Sequence, residues 1–366
     1  MSPLEISDLI TAVDPDSGRR LPVRRADVTR RLLENGDRRA ARIVADLPVD
    51  GDGVLDPDAV DALLIGVHTE LQRLSEELRI GDRMLELLRP LFAAIRATGT
   101  HPGPYRLVDV GCGLGYVVRR LAATGALGPD VELVGVDLDG GLVGEAERLA
   151  RDEELDCRFV RGNAFDLAEP ATVYVSTGVL HHFSAPALAD FFRAKAASPA
   201  AAFCHFDIAA NGLAPIGAWV FHRARMRHPL GRHDGVASAR RAHPDETLLR
   251  AATVPGMNPL IFEPRGRSNP FCTTLRPVIG VRPELEAPFR RELGRAARRL
   301  AGPGWESGGG PGSDRGSGNG SGWGIGRGRE SGSGWGSGRG RESGGGSDGG
   351  LVVDGSGGAV GGEGAW

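Results

Sequence analysis

The chain has 366 residues and 56 glycines, of which 29 fall in the last 65 positions. Outside that Gly-rich tail 40 acidic residues face 39 basic ones, and this near-neutral balance argues against nucleic acid or an anionic membrane as a partner. Four widely spaced cysteines favour free thiols over a disulfide or zinc framework, and without a signal peptide or a long apolar run the sequence predicts a cytoplasmic protein.

Four regions follow one another along the chain. Residues 1–25 are rich in Pro, Asp and Arg, which predicts a flexible N-terminus. Residues 26–103 show helical periodicity, with one apolar stripe through Leu64, Val67, Leu71 and Leu74, and predict a helical cap. Pro90 is expected to kink or divide the last cap helix. Residues 104–301 then form the main domain, and residues 302–366 a disordered Gly/Ser/Arg-rich tail.

Short apolar runs alternate with helical stretches from residue 106 onward. Such alternation implies right-handed parallel crossovers and a sheet covered on both faces. The last two predicted strands, PLIFEP and CTTLRPVIGV, have a short connection that suits an antiparallel pair. The pattern therefore predicts an α/β fold, a Rossmann-like sheet of seven mostly parallel strands with an antiparallel last strand.

A glycine-rich turn, Leu107-Val-Asp-Val-Gly-Cys-Gly-Leu-Gly115, lies where the first strand meets a helix. Ligands bind at this position in open α/β sheets, and glycine lets the backbone approach them closely. A dinucleotide fingerprint would need Gly or Ala at position 116, which is Tyr116. The spacing thus disfavours a nicotinamide dehydrogenase.

The turn resembles the first motif of the class I S-adenosylmethionine-dependent methyltransferases, small-molecule branch, which reads acid-x-Gly-x-Gly-x-Gly. VGVDLD, RGNAFDL and VYVSTGVLHHFS resemble the next three motifs, in order and at normal spacing. The resemblance implies that Asp109 positions the methionine ammonium, that Asp137 binds both ribose hydroxyls, and that the segment from Asn163 holds adenine. Asn163 stands where Asp is commoner. The implied S-adenosylmethionine site comprises Asp109, Gly111, Cys112, Gly113, Gly115, Asp137, Leu138, Asn163, Ala164, Phe165 and Thr177.

The implied reaction is in-line transfer of a methyl group to oxygen, nitrogen or carbon of a small-molecule acceptor. His181 and His182 lie where the methyl group should point, so one of them is the candidate to contact the acceptor or take its proton. They could instead only pack and cap the strand terminus. A catalytically silent cofactor-binding or scaffolding protein is the alternative function. No acidic cluster indicates a catalytic metal, and none is predicted.

Several further features of the sequence have two or more possible interpretations. The N-terminal helices either add core or cover an acceptor pocket, and His205 and Asp207 either end a strand or contact substrate. Segment 222–243, with four His and six Arg, is either a solvated or partner-facing surface or a handle for an anionic substrate. The tail repeats GSGWGIGRGRES as GSGWGSGRGRES, which fits a flexible appendage, RNA stacking or a faulty gene-model end.

Overall fold

The structure is a computed structural model that describes residues 3–14, 19–168, 170–263 and 275–303. The predicted disordered tail, apart from its first two residues, lies outside the described residues. The same holds for Cys272 and for the connection between the last two predicted strands.

Five helices precede the sheet. Gly36, with φ +80°, ends one helical run, and Asp37 caps the next by accepting a hydrogen bond from the Ala40 amide, so the predicted first cap segment is two helices. Asp56 caps the long fourth helix in the same way. The helices are α1 (Ile6–Ile10), α2 (Arg25–Glu34), α3 (Arg38–Ala45), α4 (Pro57–Glu77) and α5 (Ile80–Thr98).

The sheet has eight strands in the order β3-β2-β1-β4-β5-β7-β6-β8. The first five strands in this order are parallel to one another. Strand β7 then runs antiparallel to both β5 and β6. The strands are β1 (Tyr105–Val110), β2 (Val131–Asp137), β3 (Arg158–Arg161), β4 (Val173–Thr177), β5 (Ala202–Ile208), β6 (Asn258–Phe262), β7 (Leu275–Val281) and β8 (Leu300–Ala301).

In the described part of the chain, seven further helices lie between or after the strands. They are α6 (Tyr116–Thr124), α7 (Gly140–Asp152), α8 (Ala185–Ala197), α9 (Ala214–Arg225), α10 (Pro229–Arg241), α11 (Asp245–Ala252) and α12 (Pro283–Leu293). Leu107 points into an apolar layer shared with α5, α6 and α12, whereas the adjacent Val108 points into the layer shared with α8 and α11. The two-residue period of a strand thus places one layer on each face.

The predicted fold class is confirmed, and three details differ from the expectation. An eighth strand of two residues extends the sheet beyond β6. Within the predicted flexible N-terminus, α1 forms because Ile6 and Ile10 are buried against other helices. The last cap helix, α5, continues through Pro90, since buried residues on both sides of it, including Leu88 and Phe92, outweigh the cost of an interior proline, about 3 kcal/mol.

The strand order reverses between β1 and β4, because β1 leads to β2 on one side and the chain returns to place β4 on the other. Ligands bind at such a switch point, outside the carboxyl ends of the strands. Among the described helices, none is both long and apolar enough to cross a membrane.

Candidate functional site

A cavity of about 500 Å³ opens at the switch point. Its floor is formed by the residues that end β1, β2 and β4, and its walls come from α1, α4, α9 and α10. The volume falls within the range of roughly 300–1,000 Å³ that is typical of small-molecule sites. The N-terminal helices therefore do more than add core, because α4 supplies one wall of the cavity.

The glycine-rich turn forms part of the floor and needs glycine for two reasons. Gly111, Gly113 and Gly115 have φ of +70°, +54° and +71°, a backbone region that side chains disfavour. A Cβ at Gly111 would lie 2.6 Å from Val179, and one at Gly115 would lie 2.2 Å from Phe159. Backbone and packing therefore both require glycine here; Gly111 and Gly113 line the cavity, whereas Gly115 does not and lies against Phe159.

Two carboxylates flank this turn. Asp137 Oδ2 accepts a hydrogen bond of 2.8 Å from the Gly113 amide, and Oδ1 accepts one of 3.0 Å from the Asp139 amide. Burial raises the pKa of Asp137 despite those amides. Asp109 is buried, and its Oδ1 has no hydrogen-bond partner among the described residues. Burial, and then the neighbouring Asp137, raise the pKa of Asp109 to about 8.

The segment predicted to hold adenine is only partly at the cavity. Ala164 lines it, whereas Asn163 does not, and Asn163 Oδ1 accepts a hydrogen bond of 2.9 Å from the Phe165 amide. Phe165 packs against Phe183, with ring centroids 5.0 Å apart. Lys195 donates a hydrogen bond to the Ala164 carbonyl from inside the core.

The other predicted cofactor residues lie at the cavity wall. Cys112, Leu138 and Thr177 all line it. The Thr177 hydroxyl donates to Met84 Sδ at 3.4 Å, which turns it toward the cap helix α5. Burial raises the pKa of Cys112 well above its ordinary value, so this thiol is uncharged.

His181 and His182 form a 3₁₀ turn after β4 and both line the cavity. His181 is buried, and its Nδ1 lies 2.7 Å from Asp207 Oδ1 on β5. His182 Nδ1 lies 2.9 Å from Asp8 Oδ1 on α1. Burial would lower the pKa of His182, but Glu5 and Asp8 outweigh it and raise that pKa to about 9.

An N-terminal segment completes this end of the cavity, and no sequence motif indicated it. Glu5, 3% exposed, lies 3.7 Å from the Nε2 atoms of both histidines. Arg241 on α10 donates to the backbone carbonyls of His181 and His182 and to Asp8. Burial acts to raise the pKa of Asp8, but the contacts with His182 and Arg241 lower it to about 2.

The segment 222–243 is only partly a solvated surface: Arg223, Arg225 and Arg227 are exposed, whereas other residues face inward. Its helix α10 buries Leu230, Asp234 and Ser238, and His222 lines the cavity. Burial lowers the pKa of His222 to about 4, so the ring is neutral. His205 packs among Phe191, Phe192 and Phe203 in the core, while its neighbour Asp207 acts on the cavity only through His181.

Residues 107–198 match the sequence model of the methyltransferase domain family. The matched stretch begins on β1 and contains the glycine-rich turn, Asp137, the Asn163 segment and both histidines. The match confirms the resemblance to methyltransferases that the motifs show. No curated protein matches the sequence significantly.

Solved methyltransferases are similar to the chain at low identity. The magnesium protoporphyrin IX methyltransferase of Synechocystis PCC 6803 with bound SAH is 19% identical, with a TM-score of 0.37, over 70% of this chain and 99% of its own. The plantazolicin methyltransferase BamL, in complex with a triazolic desmethylPZN analog and SAH, is 13% identical, with a TM-score of 0.43, over 61% of this chain and 96% of its own.

Proposed function

We propose that the protein transfers a methyl group from S-adenosylmethionine to a small-molecule acceptor bound beneath the cap helices. The observation that carries this proposal is the single cavity. Its floor holds the cofactor motif, with Asp109 and Asp137, and its far end holds His181 and His182. A cofactor and an acceptor could therefore meet inside one enclosed space.

The residues of the floor fit the cofactor. Asp109 Oδ1 is a buried acceptor without a partner, and a positively charged ammonium would satisfy it. Each oxygen of Asp137 accepts one amide hydrogen bond and keeps a second lone pair, which suits two ribose hydroxyls. Ala164 and Leu138 line the cavity where the adenine would lie, and Lys195 fixes the Ala164 carbonyl from behind.

S-adenosylmethionine supplies a methyl group on a sulfonium sulfur, which an acceptor atom displaces in line. The protein then has to align the acceptor and exclude water. Leu64, Val67, Leu71 and Leu74 of α4 give the cavity an apolar wall that excludes water. Phe221 of α9 adds to it from another side.

His182 is the side chain best placed to contact the acceptor. Its ring is 26% exposed, whereas that of His181 is 5% exposed. With a pKa of about 9, the His182 ring carries a proton at neutral pH and would donate a hydrogen bond to the acceptor. His181, held between Asp207 and Glu5, positions the turn that presents His182.

A transfer assay with deuterium-labelled S-adenosylmethionine and a panel of phenols, amines and enols tests this function. We expect a labelled product, and we expect His182→Gln to lower turnover at least tenfold while cofactor affinity changes less than twofold. His101→Gln, outside the cavity, is the matched control. If His181→Ala and His182→Ala both keep the turnover and acceptor affinity of the parent, the role of the histidines is wrong. Cofactor binding without transfer to any acceptor would favour a catalytically silent protein.

A further inference from the structure

Three side chains from opposite ends of the chain meet at the acceptor end of the cavity. Glu5 precedes α1, and His181 and His182 follow β4. The distances from Glu5 Oε1 to His181 Nε2 and from Glu5 Oε2 to His182 Nε2 are both 3.7 Å. One donor atom of each residue lies within 4.8 Å of the other two, and all three side chains line the cavity.

The orientation of the two rings is fixed by carboxylates behind them. Asp207 accepts a hydrogen bond from His181 Nδ1, and Asp8 accepts one from His182 Nδ1. Because each Nδ1–H donates to a carboxylate, Nε2, the atom that faces Glu5, is the nitrogen left to bind a metal. Metal binding would displace the proton that His182 carries there at neutral pH. Histidines that bind metals almost always have such a carboxylate or carbonyl partner on the other nitrogen. The two rings lie side by side, with centroids 4.4 Å apart, and their donor atoms lie within 4.8 Å of each other and of a Glu5 oxygen.

The carboxylate of Glu5 is held in place as well. Its Oε1 accepts a hydrogen bond of 3.1 Å from Ser238 on α10 and lies 3.3 Å from Arg241. Glu5, Asp8 and Asp207 together place three carboxylates around the rings, with Arg241 in contact with two of them. A divalent cation between Glu5 and the imidazoles would balance the remaining negative charge.

We propose that Glu5, His181 and His182 bind a divalent transition-metal ion such as Zn²⁺. Bonds of about 2.0–2.2 Å to imidazole nitrogen and carboxylate oxygen place tetrahedral donors roughly 3.4 Å apart. The two Glu5–imidazole distances of 3.7 Å are close to that separation. Three protein ligands leave one position open, the arrangement of catalytic zinc sites. Two imidazoles and one carboxylate also suit Fe²⁺ or Co²⁺.

The open position gives the ion a role in the reaction, and this part rests on the proposed function. Because all three ligands line the acceptor end, the remaining position suits a hydroxyl or amine of the acceptor. A divalent cation lowers the pKa of an oxygen ligand. The acceptor class is therefore a molecule with a hydroxyl or amine able to bind a metal, and His182 would act through the metal.

Metal titration of the chelator-treated full chain tests the site without an acceptor. We expect one equivalent of Zn²⁺ to bind with micromolar or tighter affinity, and Co²⁺ to give visible absorption bands. Glu5→Gln and His182→Gln should each weaken Zn²⁺ binding at least tenfold. His222→Gln, which removes a cavity histidine outside the trio, should bind Zn²⁺ like the parent. Thermal unfolding of each variant checks that it folds, and Glu5→Gln keeps an oxygen for the Ser238 hydrogen bond.

Two results would overturn the metal site: no binding by the parent at 100-fold excess Zn²⁺ over protein, or equal affinity in the parent and both ligand variants. Calorimetry with S-adenosylmethionine on the same chelator-treated protein keeps the two proposals apart. Cofactor binding without metal binding leaves the methyltransferase function standing and removes the metal. Metal binding without cofactor binding leaves the metal site standing and removes the methyltransferase function.

Discussion

Asp109 shows how a single residue carries the cofactor assignment. The structure buries it at the end of β1 and leaves Oδ1 without a partner among the described residues. An ionised carboxylate in such a place costs stability, so burial raises the pKa of Asp109 to about 8. The ionised Asp109 carboxylate is therefore unfavourable in the free protein and becomes favourable beside an ammonium group.

The pH dependence of folding should report this residue. Because its pKa is higher in the folded state than in the unfolded state, the folded protein binds more protons, and the stability contribution falls as pH rises toward 8. The free energy of unfolding of Asp109→Asn relative to the parent should rise by about 1.4 kcal/mol per pH unit between pH 5 and 8, then level off. Urea unfolding at several pH values measures this difference in the free energy of unfolding. Asp152→Asn, which changes an exposed carboxylate, is the control. A difference independent of pH contradicts the burial argument.

At the residue scale, the sequence predicted the site residues that belong to short local motifs. Asp109, Gly111, Gly113 and Asp137 belong to recognisable motifs, so their approach to one cavity could be predicted. Glu5 and Arg241 lie far from the motif in sequence and reach His181 only through tertiary packing. Asn163 Oδ1 accepts a hydrogen bond from the nearby Phe165 amide, as is common for Asn in turns. Its contact with adenine stays a prediction.

At the scale of elements, α1 is held by α10. The Ile6 and Ser7 amides donate to Asp234 at 2.8 and 2.9 Å, so a carboxylate from another helix caps α1. Arg241, about two helical turns further along α10, ties Asp8 to the histidine turn. The position of Glu5 beside the histidines therefore depends on α10.

Asp234→Ala should loosen α1 while leaving the sheet intact. Loss of a helix cap costs about 0.5–2 kcal/mol, which corresponds to roughly 2- to 30-fold faster opening. Amide hydrogen exchange of Ile6 and Ser7 should accelerate by such a factor, and exchange in β1 and β4 should not change. Asp56→Ala, which removes the cap of α4, is the control and should leave the Ile6 and Ser7 amides unaffected. Unchanged exchange in Asp234→Ala would show that the cap does not hold α1.

The predictability of an element depended on its apolar pattern. The strands and α4 were predicted because their buried residues are large and regularly spaced. In α10 the buried residues include Gly231, Asp234, Ala237 and Ser238, which give little hydrophobic periodicity, so its inward position could not be inferred. The short α1 offers only Ile6, Leu9 and Ile10 as apolar signal.

At the scale of the whole molecule, the cap and the sheet share one cavity, and neither encloses it alone. The strand ends contribute the charged and glycine residues, and α4 contributes an apolar wall. His68 of α4 lies against the glycine-rich turn, since a Cβ at Gly113 would be 2.7 Å from its ring. The alternation of strands and helices predicted the sheet, whereas the closure of the cap over it follows from tertiary packing.

Calorimetric titration of the full chain with S-adenosylmethionine tests the central claim most directly. The parent should bind one equivalent, because the floor of the cavity offers acceptors for both the ammonium and the ribose. Asp137→Ala should weaken binding at least 100-fold, while Asp152→Asn, which alters an exposed carboxylate on α7, should bind like the parent. Absence of binding by the parent, or equal affinity in Asp137→Ala, would contradict the assignment of this cavity as the cofactor site.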